Sequence, residues 1–445
     1  MTSNILQIGK SGALAARAAL DATAQNIANA GTAGYVRRSV TQAEVSATSA
    51  YGTVGDISLS GVRITGLTRN VDAFRQGEAR RTGSDAARAD AEVAGLEQVN
   101  AALETSNLYP AITDFEAALA KLAAQPTDNA LRATALASAG NLAQSFNLAS
   151  TSLSAAGAGL AATASDGAQS VNTLAGSLAA LNLKLASDPD PASNQATLLD
   201  QRDHLLSQLS QLADVTTTFA PNNMVSVQLG GSSGPLLVSA GSASPFASSA
   251  AADGSISYTL GGSAVTLGGG SLAGTRQAAA SLAQTRSGLD ALAAALATAA
   301  NGAQTGGVAR DGSAGQPLFT GTTAASLRLA LTNPAQLATA PAGAGANSRD
   351  GSQLAALRTA LSTAGVASGA DALLFASASA VQQATTTRDA LDAIATNAKT
   401  ALDAQAGVSL DQEAANLLKF QQAFQASGKV MQVAGTLFDS LLQLR

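Results

Sequence analysis

Large apolar residues recur at intervals of seven near both ends of the chain. Leu410, Leu417, Phe424, Met431 and Phe438 keep this spacing, and Leu442 and Leu444 thicken the stripe at its end. Leu6, Ala13, Leu20 and Ile27 keep it too, in a proline-free run of strong helix formers. A seam of coiled-coil period has to be covered by another helix. The two ends are therefore expected to pair, with everything between them inserted.

The N-terminal pattern predicts a helix over 3–29, stopped by a left-handed residue at Gly31, and a turn over Thr32-Ala33-Gly34. Extended pieces follow over 35–45 and 56–67, where Ile57, Leu59, Val62 and Ile64 predict a hairpin with an irregularity near Gly61. Helical patterning resumes over 70–104 and again from Pro110, with Ile112, Phe115, Leu119 and Leu122 on one face. Gln125 to Asp128 breaks it, and Thr127 or Asp128 is placed to cap the next helix.

Leucines from Leu131 to Leu185 mark a segment too long for a globular helix without caps. An extended rod-like hairpin or coiled coil is expected there, with Gly157, Gly159 and Gly167 as candidate interruptions. Asp188-Pro189-Asp190-Pro191 is a firm break, and 198–212 beyond it is an amphipathic helix. Alternation at Val225, Val227 and Leu229 and at Ile256, Tyr258 and Leu260 predicts a small β-rich insert over 215–270. Helix returns over 272–301, 352–361 and 370–404, while 305–347 is Gly/Ala-rich and irregular with one strand at 327–331. The expected fold is mainly α with a β-rich insert, multidomain and discontinuous. Paired terminal coiled-coil helices with a short hairpin occupy 1–70 and 401–445, a long-helix rod-like domain 71–213 and 271–400, and a small outer β domain 214–270.

Composition narrows the function. Charged residues are 12% of the 445 and aromatics 3%, with no Trp, which leaves little to steer a charged ligand or stack bases. A net charge of -5 without clustered Lys and Arg argues against nucleic acid. The abundant small side chains suit close helix packing and surfaces buried between subunits. No Cys is present, so disulfides and thiolate metal sites are excluded. Lys10 and Arg17 interrupt the N-terminal apolar pattern, so no Sec-type signal peptide is visible; polar residues interrupt the uncharged 133–165 too often for a membrane span.

Candidate chemistry is sparse. Gly9-Lys10-Ser11 resembles the end of a phosphate loop, but Asn4 stands where that motif needs glycine and no strand precedes it. Gly268-Gly269-Gly270-Ser271-Leu272-Ala273 matches a loose dinucleotide fingerprint with Asp290 about twenty residues on, yet Asp290 lies in the same helical run and ends no second strand. His204, the sole histidine, has Asp200 and Asp203 beside it and is expected on a solvated helix face. Asp411 and Glu413 suit the positive end of the last helix. No catalytic, cofactor or metal residues are assigned, and no enzyme is expected.

The run Ala24-Gln25-Asn26-Ile27-Ala28-Asn29-Ala30-Gly31-Thr32-Ala33-Gly34-Tyr35 resembles the N-terminal signature of the axial proteins of the bacterial flagellum, the rod, hook and hook-associated proteins. Leu198-Leu199-Asp200-Gln201-Arg202-Asp203 resembles the hook-associated branch found at the hook-filament junction. So does Glu413-Ala414-Ala415-Asn416-Leu417-Leu418-Lys419-Phe420-Gln421-Gln422. Phe424 replaces the family's usual Tyr, and Ser427-Gly428 its usual Asn-Ala. The resemblance marks Asn26, Asn29, Gly34, Tyr35, Leu199, Asp200, Arg202, Asp203, Asn416 and Phe420 as signature residues. It implies a structural adaptor that self-assembles into a short helical layer joining hook to filament. Implied partners are copies of itself, the hook protein, the other junction protein on the filament side, and an export chaperone at the C-terminal helix. The implied location is the extracellular flagellum, reached by type III export. Another axial protein, hook or distal rod, is one alternative; a coiled-coil surface or tail-fibre protein is the other, although internal repeats and a Sec signal are missing.

Overall fold

The computed structural model describes residues 2–32, 34–47, 58–187 and 194–443. Helices α1 (Thr2–Ala28) and α9 (Leu410–Gln443) pack along each other as the seven-residue stripes predict. They run antiparallel, since Gly9 and Gly12 face Ser427 and Met431 while Asn26 reaches Glu413. The contact line is not the predicted one. On α9 it follows Glu413, Phe420, Ser427 and Ala434, also seven apart and three residues on from the apolar stripe, with Glu413 and Ala434 buried. On α1 the buried positions include Gly9, Ala13, Ala16, Ala19, Thr23 and Asn26. Gly9 and Gly12 let the backbones come close at Ser427, with Met431 laid against Gly9, and most of the large stripe residues are displaced to the flanks. Leu6, Leu410, Phe424 and Phe438 are exposed, whereas Leu20, Ile27, Leu417 and Met431 are half-buried. The side chain of Leu442 and all of Leu444 lie outside the described residues.

The expected left-handed stop at Gly31 is absent; the positive φ falls instead at Gly34 (+78°). The end of α1 is closed by Asn29 Nδ2 donating to the Gln25 carbonyl and by Thr32 N donating to the Asn29 carbonyl, both at 2.9 Å. Tyr35 N then returns to the Thr32 carbonyl, and Ala33 between them is outside the described residues. Strands β1 (Arg38–Ala47) and β2 (Ser58–Arg69) form the predicted antiparallel hairpin, with Arg38 opposite Arg69. The expected start of the second strand at Asp56-Ile57 is likewise outside. One register shift falls beside Gly61, whose φ is +93°. A side chain there would overlap Ser11 Oγ and press on the backbone of Ile8, and Val62 N donates to Ser11 Oγ at 3.2 Å. The hairpin thus lies directly on α1.

Helix α2 (Ala73–Glu104) is capped by Asp72, which accepts from Phe74 N and Arg75 N. Helix α3 (Leu108–Ala124) buries Ile112, Phe115, Leu119 and Leu122 as predicted. Asp128 accepts from Ala130 N and Leu131 N at the start of α4 (Asn129–Ser187). This helix has 59 residues without interruption, about 88 Å at 1.5 Å per residue. Gly157, Gly159 and Gly167 lie against neighbours and do not break it: a Cβ on Gly167 would stand 2.6 Å from Leu272 Cδ2. The Asp188-to-Pro191 break lies outside the described residues. Helices α5 (Asn194–Leu212), α6 (Gly270–Thr305), α7 (Ser352–Thr363) and α8 (Val366–Ala406) complete the bundle; α2 packs on α5, α6 and α8, and α4 on α3, α5 and α6.

The β-rich insert holds a four-stranded sheet, β3 (Val215–Phe219), β4 (Val225–Leu229), β5 (Leu236–Ser239) and β6 (Ser242–Ala243). A three-stranded sheet follows: β7 (Phe246–Ala250), β8 (Ile256–Leu260) and β9 (Ser263–Val265). Val225, Val227, Leu229, Ile256, Tyr258 and Leu260 are buried. In the irregular segment the predicted strand is β12 (Arg328–Leu329), paired with β11 (Phe319–Thr320); β10 (Gly307–Val308) pairs with β13 (Ala340–Pro341). Arg132 on α4, 1% exposed, clips this segment down by donating to the Leu337 carbonyl at 2.8 Å and Thr339 Oγ1 at 2.6 Å.

Candidate functional site

The end of α1, the base of the hairpin, α5 and the first turn of α9 converge on one polar joint. Asn26 is its hub on α1 because a helix-end amide offers a donor and an acceptor at once. Its Oδ1 accepts from Arg38 N and from Tyr35 Oη, both at 2.9 Å, and its Nδ2 donates to the Arg38 carbonyl and to Glu413 Oε2. Glu413, 1% exposed, also binds Arg37 Nε at 2.9 Å. Arg37 N donates to the Ala406 carbonyl, which fixes the link between α8 and α9.

On the other side α5 supplies two buried carboxylates. Asp200 accepts from Arg38 Nη2 at 2.9 Å and Arg69 Nε at 2.8 Å, so one side chain holds both strands at the paired end of the hairpin. Asp203 accepts from Arg69 Nη2 at 2.7 Å, Gln76 Nε2 at 3.2 Å and Arg202 Nη2 at 2.8 Å. Burial pushes the Asp203 carboxyl up, but the Arg202 and Arg69 guanidiniums outweigh it and hold the group below the usual carboxylate range. Arg202 lies over the Phe219 ring at 4.5 Å and donates to the Asn223 carbonyl, which ties α5 to the β insert. Burial raises the Tyr35 hydroxyl above its usual range, with Arg38 opposing and Asp200 and Glu413 adding to it.

The joint therefore unites Asn26, Tyr35, Asp200, Arg202 and Asp203 of the signature set. Gly34 sits against His204, where a Cβ would lie 3.1 Å from His204 Cβ. Asn29 serves the helix end, Leu199 is half-buried on α5, and Asn416 and Phe420 line a small cavity with Arg37 and Glu413. Two expectations are corrected. The α5 face beside His204 is not solvated, because Asp200 and Asp203 turn inward onto the hairpin arginines. Glu413 is a buried ion-pair partner and not merely a charge favourable to the helix end. Arg37, Arg38 and Arg69 were not singled out from the sequence. Their signal was clustering: three arginines flanking the strands of one predicted hairpin in a chain only 12% charged.

The glycine turn before α6 is occupied by the chain itself. Backbone N–H groups of Gly268, Gly269 and Gly230 face the Asp214 carboxylate, whose burial nevertheless raises it above the usual range. What the joint does chemically is hold: each buried charge has hydrogen-bonded partners, so the hairpin, two terminal helices and α5 are fixed in one orientation.

Residues 93–319 match the family model described as the flagellar hook-associated protein FlgK helical domain. Residues 403–444 match the flagellar basal body rod FlgEFG protein C-terminal model. The chain is 28% identical over 234 residues to flagellar hook-associated protein 1 of Escherichia coli (strain K12), covering 52% of this chain and 41% of that protein. It is 28% identical over 229 residues to flagellar hook-associated protein 1 of Bacillus subtilis (strain 168), covering 49% and 45%. Among solved structures, that of the flagellar hook junction protein FlgK from Burkholderia pseudomallei aligns with a TM-score of 0.49 at 27% identity, covering 55% of this chain and 46% of the other. The match thus spans less than half the length of each of these relatives. With more than half of its length in the helical-domain model and its last helix in the axial C-terminal model, the chain belongs to the flagellar hook-associated protein FlgK family.

Proposed function

We propose that this chain is a structural adaptor of the bacterial flagellum that joins hook to filament by assembling into a short helical layer. One observation carries the reading beyond family membership. The α1/α9 pair uses its small residues for the internal contact and leaves Leu6, Leu14, Leu410, Leu418, Phe424, Leu437 and Phe438 exposed. Two helices with apolar outer faces need further copies around them, and a heterologous contact that does not close makes such a layer. In this reading residues 1–70 with 401–445 form the inner tube, 71–213 with 271–400 the surrounding shell, and 214–270 the outward insert.

The partners that follow are copies of itself, the hook protein below and the other junction protein and filament above. Before assembly, the Leu417/Phe424/Met431 stripe is the face a cytoplasmic export chaperone would cover with a helix-accepting groove. The protein travels by flagellar type III export and works outside the cell. It is not an enzyme, binds no nucleic acid and spans no membrane. Deleting the gene in its source bacterium tests this: bare hooks with flagellin lost to the medium are expected. Missing hooks would reassign the chain to hook or rod, and normal filaments would refute a flagellar role.

A further inference from the structure

A cavity of about 400 Å³ opens between α2, α5, the end of α8 and the Gly34–Val36 corner. Arg80, Asp203, His204, Lys399 and Asp403 line it. The charges behind it do not balance. Arg38, Arg69, Arg80 and Arg202 face Asp200 and Asp203, four positive charges against two negative, a surplus of two. Arg37 and Glu413 cancel one another outside this count.

Asp200 is shared by Arg38 and Arg69, and Asp203 by Arg69 and Arg202. Among the described residues Arg80 has neither a hydrogen bond nor an ion pair; burial disfavours its charge most, Asp203 attracts it and Arg202 opposes that attraction. On the rim, Lys399 and Asp403 are exposed. Asp85 and Asp214 line a separate cavity that Arg80 also borders, and Asp85 is engaged by Arg81. A guanidinium drawn partly out of water without a hydrogen-bonding partner is stabilised when an anion joins it. Its planar fork receives a carboxylate through two parallel hydrogen bonds.

We propose that this cavity is a carboxylate-binding site, with Arg80 receiving the anion and Lys399 adding charge from the rim. The carboxylate has two sources, a small free anion or an acidic side chain of a neighbouring copy of this chain. The site stands independently of the junction reading, since it rests on the chain's own charges.

The test titrates sodium acetate against sodium chloride at equal ionic strength, reading melting temperature and calorimetric binding for the full chain. Wild type is expected to show a saturable rise in Tm with acetate. Arg80→Gln is expected to bind acetate at least about tenfold more weakly. Lys399→Gln, on the exposed rim, is expected to weaken acetate binding without lowering Tm and serves if Arg80→Gln does not fold. Acetate without effect, combined with weaker self-association of Arg80→Gln in sedimentation, would assign the carboxylate to a neighbouring copy. Identical responses to acetate and chloride with self-association unchanged would overturn the proposal. So would an Arg80→Gln variant that titrates with acetate like wild type.

Discussion

Asp200→Ala removes the carboxylate that both strands of the hairpin share. Arg38 and Arg69 reach it at 2.9 and 2.8 Å, and their side chains are only 7% and 10% exposed, so neither turns to bulk water when it is lost. Breaking a buried pair by deleting one member costs about 3–5 kcal/mol. Arg69 keeps Asp203 at 2.7 Å, which holds the loss to the lower end, about 3 kcal/mol. The loss is local, because the bonds of Asp200 join the hairpin to α5 and not the bundle to itself. Amide exchange at Val40 and Leu67, opposite one another in the ladder, should therefore accelerate about 10²-fold while amides in the middle of α4 stay protected. Arg38→Met in the Asp200→Ala background should recover part of the loss, since an unpaired buried charge costs more than an absent pair. Exchange within threefold of wild type, or strict additivity of the two substitutions, would refute the electrostatic account of the joint.

Three further outcomes follow from the same geometry. Asp203 ionises below its ordinary value of 3.8, burial's upward push being outweighed by Arg202 and Arg69, so its stabilisation is complete above that value and lost as pH falls below it; Asp203→Asn should flatten the acid limb of an unfolding-versus-pH curve. Gly61→Ala combines a φ of +93° with overlap on Ser11 and should cost about 1–3 kcal/mol by hydrogen exchange of the hairpin, whereas Gly66→Ala, with only Thr41 Oγ1 at 3.8 Å, should stay near wild type. Phe424→Asp should leave helix content by circular dichroism unchanged, because Phe424 is exposed beside the α1/α9 contact, yet should fail to restore filaments in a deletion strain.

Local signals made much of the architecture legible. Seven-residue spacing marked α1 and α9, period-two alternation marked the strands holding Val225 to Leu229 and Ile256 to Leu260, and Asp128 marked the start of α4. These features depend on a residue and its near neighbours, so they survive reading one chain position at a time. Gly61 was legible for the same reason, since a glycine amid alternating residues announces a bulge. The glycines of α4 misled because a helix tolerates glycine wherever packing repays it; Gly167 is held in line by contact with Leu272 on α6.

Membership in a flagellar axial family was carried by the residues around Asn26, Asp200 and Asn416, although nothing in their spacing said what they touch. Only the tertiary structure decided that Asp200 and Asp203 turn inward, that Glu413 is a buried partner of Arg37 and Asn26, and which line of α9 meets α1. Periodicity locates an apolar stripe but not its depth. Where one helix offers Gly9 and Gly12, the backbones approach closely and the seam runs through Ser427 and Ala434, leaving Leu6, Leu410, Phe424 and Phe438 facing outward. Pairing of charges separated by more than a hundred residues is likewise set by how the elements dock, because burial, not sequence proximity, determines which carboxylate each arginine must find.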